Sequence, residues 1–113
     1  MAIPDLSDPD AAVAFAIAAL QNQEEEQALA PVAEAAARHP ANLRLWQLLG
    51  GLHRALDELA PAVAAYERAV RLAPDDGASA HMLARSLLEG GLPAKAPFER
   101  AQALAPEDDI VRL

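Results

Sequence analysis

Three histidines, His39, His53 and His81, and a run of glutamates, Glu24, Glu25 and Glu26, are the side chains best suited by type to hold a metal ion or move a proton. A transition-metal site needs ligands that converge, commonly two histidines four residues apart or a pair of cysteines. Here the histidines have no partner at that spacing and the chain has no cysteine. No metal site is therefore assigned, and disulfides, thiolate ligands and cysteine nucleophiles are excluded. The glutamate run is read as a solvated turn. Ser79, His81 and Asp75 or Asp76 supply the residue types of a hydrolytic triad. So close together at one helix start, they cannot take up the mutual hydrogen-bond geometry that a triad requires. The pairs Gly50–Gly51 and Gly90–Gly91 lack the flanking glycines and the strand of a phosphate loop. With no nucleophile beside a base and no cofactor motif, the sequence predicts a non-catalytic chain without a cofactor.

Charge and composition narrow the partners. Across 113 residues, 9 Lys and Arg face 17 Asp and Glu, a net charge of −8. That balance argues against nucleic acid, whose phosphates call for a basic surface. Residues Ala11 to Leu20 form the longest uncharged apolar run, too short for the roughly 20 residues that span a bilayer. Asp5, Asp8 and Asp10 precede it, where a secretory signal would be basic, so the expectation is a cytoplasmic chain without a membrane segment. Apolar residues make up 53% and aromatic residues 4%. Alanine is by far the commonest apolar residue, which favours closely packed helices over strands.

The elements that would carry any site repeat along the chain. Pro40 and Pro74 stand one period of about 34 residues apart, and Pro106 falls two residues short of completing a further period. Residues 59–74, LAPAVAAYERAVRLAP, align without a gap to residues 91–106, GLPAKAPFERAQALAP. Pro61 pairs with Pro93, Tyr66 with Phe98, Glu67 with Glu99, Ala69 with Ala101 and Leu72 with Leu104. The pattern predicts helices over approximately 9–22, 25–38, 42–56, 59–73, 77–89 and 93–105. Asp8 before Pro9 and Asn42 before Leu43 supply starts, and Pro61 and Pro93 fit first-turn positions. Pro31 and Pro97 occupy matching places in the second and sixth helices. Each either kinks its helix or marks a later helix start.

In the middle unit, Trp46, Leu49, Gly50, Ala62, Tyr66, Ala69 and Pro74 fall at offsets that resemble the tetratricopeptide repeat, a helix-turn-helix unit of about 34 residues. Gly50 and Ala62 lack bulk, so the two helices can approach, while Trp46, Leu49, Tyr66 and Leu72 fill the space around them. The first unit is a weaker copy, with Ala12, Phe15, Ala16, Ala28, Val32, Ala35 and Pro40 in register. The third has Ala80, Leu83, Ala84, Leu87 and Gly91 in register from the front and Phe98, Ala101 and Pro106 from the back, two residues short between the halves. The resemblance implies an all-α, right-handed superhelical solenoid of three hairpins. Its expected divisions are a lead or cap at 1–8, units at 9–42, 43–76 and 77–108, and the start of a further helix at 109–113. That last stub, without a polar capping helix, suggests a fragment of a longer bacterial protein.

In this family the first helix of each unit lines a concave groove and touches ligand from a few fixed offsets. Carried over, those offsets fall on Asp10, Val13, Ile17 and Gln21, on Arg44, Gln47, Gly51 and Arg54, and on Ala78, His81, Arg85 and Glu89. The expected binding residues are Arg44, Gln47, Arg54, His81 and Arg85, with Val13 and Ile17 as an apolar edge. Their partner would be a protein or peptide segment with acidic groups. Val13 and Ile17 stand where relatives that grip a chaperone's C-terminal carboxylate carry Lys and Asn, so that function is not implied. Two other roles fit the resemblance: an N-terminal extension of a larger enzyme such as an oxygenase or sulfotransferase, and self-assembly as a homodimer. The self-assembly expectation rests on open repeat ends, with Phe98, Ala101 and Leu104 at one end and Val13, Phe15, Ile17 and Leu20 on the first helix.

Overall fold

A computed structural model describes residues 3–91 of the chain. The expected sixth helix, with Pro97 and Phe98, and the segment 109–113 lie outside the described residues. Within them the chain forms helices α1 (Pro9–Gln21), α2 (Glu25–Arg38), α3 (Leu43–Ala55), α4 (Leu59–Leu72) and α5 (Gly77–Glu89), and no strand. The starts and ends of these helices agree with the sequence expectation to within one residue.

Those boundaries are local chemistry repeated at a fixed interval. Asp8, Asn42 and Asp76 recur at the same step as the prolines at 40 and 74, and each caps a helix. The Asp8 carboxylate accepts the N–H groups of Asp10 at 3.0 Å and Ala11 at 3.4 Å. Asn42 Oδ1 accepts that of Leu45 at 3.1 Å, and Asp76 Oδ2 that of Ser79 at 3.2 Å. Each satisfies donors that the first turn of a helix leaves orphaned. Gln23, Asp57 and Gly91 recur at that step too, and hold φ of 59°, 59° and 69° at the turns that follow α1, α3 and α5. At the first two, the next N–H reaches back to close the helix end, Glu24 to the Ala19 carbonyl and Glu58 to that of His53, both at 2.8 Å. This is the reach-back bond that follows a left-handed residue at a helix end. The 34-residue step thus holds from Asp8 through Gly91.

α2 and α4 start without a side-chain cap. In α2, Glu24, Glu25 and Glu26 lie at the helix N-terminus, where negative charge is favoured by the helix dipole. Pro31 is inside α2, beyond its first turn. The start is held by the turn at Gln23 and does not shift, so the Gln27 carbonyl loses its usual i+4 donor.

Helices α1 and α2 pack as one hairpin, α3 and α4 as the next, and α3 also packs on α1 and α2. A continuous core runs through Ala12, Ala16, Ala19, Ala28, Val32, Ala35, Ala36, Leu45, Leu49, Leu52 and Ala65. Tyr66 and Ala69 are buried on α4. Gly50 is where the second hairpin is tightest: a Cβ on it would lie 2.5 Å from Tyr66 Cε1 and 2.7 Å from Cδ1. Only a residue without a side chain lets that ring lie flat on the helix. Trp46 is half-buried against the core, donates its indole N–H to the Pro40 carbonyl at 2.9 Å, and carries the Arg68 guanidinium 5.0 Å over its ring.

Two expectations are corrected. Leu72 does not fill the interhelical space: as the last residue of α4 it is 40% exposed. The large apolar residues of α1 are not an open patch either, since Val13, Phe15 and Leu20 pack against the core and Ile17 is half-buried. Ahead of α1, Leu6 also packs on that core, and its carbonyl is hydrogen-bonded to His39 Nε2 at 2.9 Å, which makes residues 5–8 a cap on the first hairpin.

Candidate functional site

Arg44, Gln47, Gly51 and Arg54 follow one another at three- and four-residue steps, which places them along one face of α3. The same steps align Asp10, Val13, Ile17 and Gln21 on α1, and Ala78, His81, Arg85 and Glu89 on α5. Packing sets α1 against α3, and two side-chain bridges tie α3 to α5. α3 is thus joined to α1 by packing and to α5 through Gln47 and Arg54.

The first bridge is polar and structural. Gln47 Nε2 donates to Asp76 Oδ2 at 3.0 Å and to Ser79 Oγ at 2.8 Å, while the Ser79 hydroxyl donates to Asp76 at 2.7 Å. Ser79 is fully buried. Its hydroxyl belongs to the helix cap, and Gln47 reads that cap from the neighbouring unit. Gln47 is thus a joint between units as much as a groove residue. Asp76 and Ser79 were not among the expected site residues, although the repeat step from Asn42 pointed to Asp76 as a cap.

The second bridge is ionic. Arg54 Nε lies 3.1 Å from each carboxylate oxygen of Glu89, and its terminal Nη2 also contacts Oε1. The two side chains are 36% and 38% exposed, so the pair faces water. Arg54 holds the Glu89 carboxyl below the usual carboxylate range, with Arg85 adding to the effect. Hydrogen bonding to Glu89 raises the Arg54 guanidinium in turn. Beneath them, burial pushes the Tyr66 phenol up, opposed in part by Arg54. Of the three expected arginines, Arg54 is therefore already engaged, Arg44 is exposed and Arg85 is half-buried.

Between the bridges lies Gly51. A Cβ placed there would meet only Leu20 Cδ1 at 3.8 Å and the Tyr66 hydroxyl at 3.9 Å, both ordinary contacts. A small side chain at position 51 would thus be accommodated without a clash, unlike one at Gly50. Val13 and Ile17 on α1 and His81 on α5 are half-buried. His53 turns away from this set: its Nδ1 is hydrogen-bonded to Glu58 Oε1 at 2.9 Å. Among the described residues no three of His, Asp and Glu converge as a metal site, and no helix is long and apolar enough to cross a membrane.

Residues 43–86, spanning α3, α4 and most of α5, match the family model of the tetratricopeptide repeat. This stretch is a tetratricopeptide repeat. The fold of the wider chain is likewise that of tetratricopeptide-repeat proteins. A structure of MamA from MSR-1 superposes with a TM-score of 0.79 at 22% identity, covering 88% of this chain and 58% of that one. SycD, a type III secretion chaperone of Yersinia enterocolitica solved with a peptide of the translocator YopD, gives 0.79 at 18% identity, over 86% of this chain and 76% of SycD. A second MamA structure, from AMB-1, gives 0.80 at 21% identity, with 89% and 61% covered. The chain thus spans about three fifths of the MamA chains. No curated protein matches it by sequence. Within the matched residues, α3 and α4 pack together and α5 packs on α4.

Proposed function

We propose that the chain is a non-catalytic protein-interaction module that holds an amphipathic, acidic peptide or helix across α1, α3 and α5. The observation that carries this reading is the glycine at position 51, in the middle of the α3 face, where a Cβ would make only ordinary contacts. Val13 and Ile17 on one side suit apolar side chains, and Arg44, Arg54 and Arg85 on the other suit carboxylates. Such a surface is unusual in a chain of net charge −8. The complex of SycD with a translocator peptide supports the reading at the level of the fold.

The test uses the two adjacent glycines. Gly51→Leu adds a bulky side chain where a Cβ meets no clash, so it is expected to block binding of a fluorescein-labelled helical peptide of leucine and glutamate while the melting temperature stays within a few degrees. Binding should also weaken as salt rises, because exposed arginine–carboxylate contacts are screened. Undiminished affinity in a folded Gly51→Leu protein would place the site elsewhere.

A further inference from the structure

The ion pair between Arg54 and Glu89 joins two residues of the same candidate surface that have no local reason to be together. Glu89 is the last residue of α5, where the helix dipole disfavours a negative charge, and no basic residue stands in that last turn. It is held there by a neighbouring unit: both carboxylate oxygens lie on the Arg54 guanidinium, the fork-like arrangement by which arginine recognises a carboxylate. Arg85, one turn before Glu89 on the same helix, acts on the same carboxylate. Arg54 is also hydrogen-bonded to the buried Tyr66 side chain. Both partners of the pair remain more than a third exposed, so an incoming group can reach them. Beyond Glu89 the chain turns through Gly90 and then Gly91 at positive φ.

From this arrangement we infer that Glu89 is a built-in stand-in for a ligand: it occupies the carboxylate-docking point of Arg54 in the free protein, and an acidic side chain of a bound peptide takes its place between Arg54 and Arg85. The inference rests on the peptide-binding reading above and adds its regulation. A surface whose arginine is satisfied internally does not collect acidic molecules indiscriminately. Only a segment that also packs on Gly51 and contacts Val13 and Ile17 gains enough to displace Glu89. The self-contact thereby converts a general attraction for negative charge into selection for acidic groups on an amphipathic segment.

The experiment compares Glu89→Gln with the unaltered chain by fluorescence anisotropy, using the leucine–glutamate peptide and a counterpart with glutamine in place of glutamate. Glu89→Gln should bind the acidic peptide about tenfold more tightly and the glutamine peptide no better, since the gain comes from a freed charge-assisted contact. The gain should vanish in the double variant Arg54→Gln, Glu89→Gln. It should also be absent in Glu67→Gln, which changes the net charge equally on exposed α4. Circular dichroism confirms that each variant is folded. Equal affinity of Glu89→Gln and the unaltered chain for the acidic peptide overturns the displacement but leaves the groove standing. A gain that survives loss of Arg54, or is matched by Glu67→Gln, overturns it as well. If neither peptide binds any variant, the groove reading falls and this inference with it.

Discussion

The hairpin α1–α2 and the hairpin α3–α4 are built on the same repeat frame yet fill their interiors in opposite ways. In the first, Ala16 and Val32 occupy the positions that Gly50 and Tyr66 occupy in the second, and all four are buried. Where the second unit brings in an aromatic ring, it gives up a Cβ on the facing helix. Where the first keeps a methyl group, it faces a small β-branched side chain. Interiors are close-packed, so what matters is the summed volume across the contact rather than either residue alone. The comparison also explains why the first unit resembles the family pattern weakly: its compensating pair departs from the usual residues at both places.

The largest effects follow from breaking that compensation. Gly50→Leu should cost on the order of 1 to 3 kcal/mol in chemical denaturation, because the Tyr66 ring cannot withdraw without leaving the core. Gly50→Ala tests the same contact with a single methyl. An alanine normally improves a helix interior by up to about 1 kcal/mol over glycine, so a loss here isolates the clash. Adding Tyr66→Val to Gly50→Ala transplants the pair from the first unit, and the two changes should be less harmful together than their sum. Strict additivity, or a Gly50→Ala protein that melts higher than the parent, would remove the volume argument.

Capping distinguishes the units next. Asp8 serves only its own helix, whereas Asp76 also accepts from the Ser79 hydroxyl and from Gln47 of the preceding unit. Asp8→Ala is expected to cost about 1 kcal/mol, the usual value of a cap. Asp76→Ala should cost more, since it leaves the buried Ser79 hydroxyl without its acceptor. Equal losses in urea denaturation would show that the bridge from Gln47 adds nothing. A smaller effect of opposite sign is expected at the turns. Gln23 and Asp57 adopt the left-handed backbone that Gly91 adopts without strain. Gln23→Gly and Asp57→Gly should each raise the melting temperature by an amount corresponding to about 1 kcal/mol or less.

The smallest effects are in pH, and they arise at Tyr66 on α4 and Glu89 on α5. Tyr66 has its folded-state pKa raised above the ordinary 10.0, chiefly by burial. The unfolded chain therefore ionises first, and the associated stability is complete below about pH 10 and lost as pH rises through the folded value. Val32, at the matching place, has nothing to titrate. Tyr66→Phe should accordingly flatten the alkaline limb of the stability profile. At the acidic end the sign reverses: the lowered pKa of Glu89 means that its ion pair contributes above the ordinary 4.5 and is lost as pH falls through the folded value. Exposed to water as it is, that pair should contribute less than about 1 kcal/mol, and Glu89→Gln should remove the dependence.

Wherever a few consecutive residues decide the outcome, the amino-acid order was enough. Asp8 with Pro9, and Asn42 ahead of Leu43, start their helices through bonds to N–H groups two or three residues away, so their meaning is local and readable. The regular step between prolines, and the small residues at Gly50 and Ala62, announced paired helices because the packing of a hairpin repeats with its period. The candidate face was legible to the same extent: spacing alone aligns Arg44, Gln47, Gly51 and Arg54 on one side of α3. Which of these residues can meet a partner depends instead on how one unit is laid on the next. Gln47 is tied to Asp76 and Ser79, and Arg54 to Glu89, by contacts between helices distant in sequence. The adjacent glycines make the same point. One residue turns a helix by about 100°, which puts Gly50 beneath the Tyr66 ring and Gly51 where a Cβ would make only ordinary contacts. Nothing in their identical side chains distinguishes the two; the neighbouring helices do.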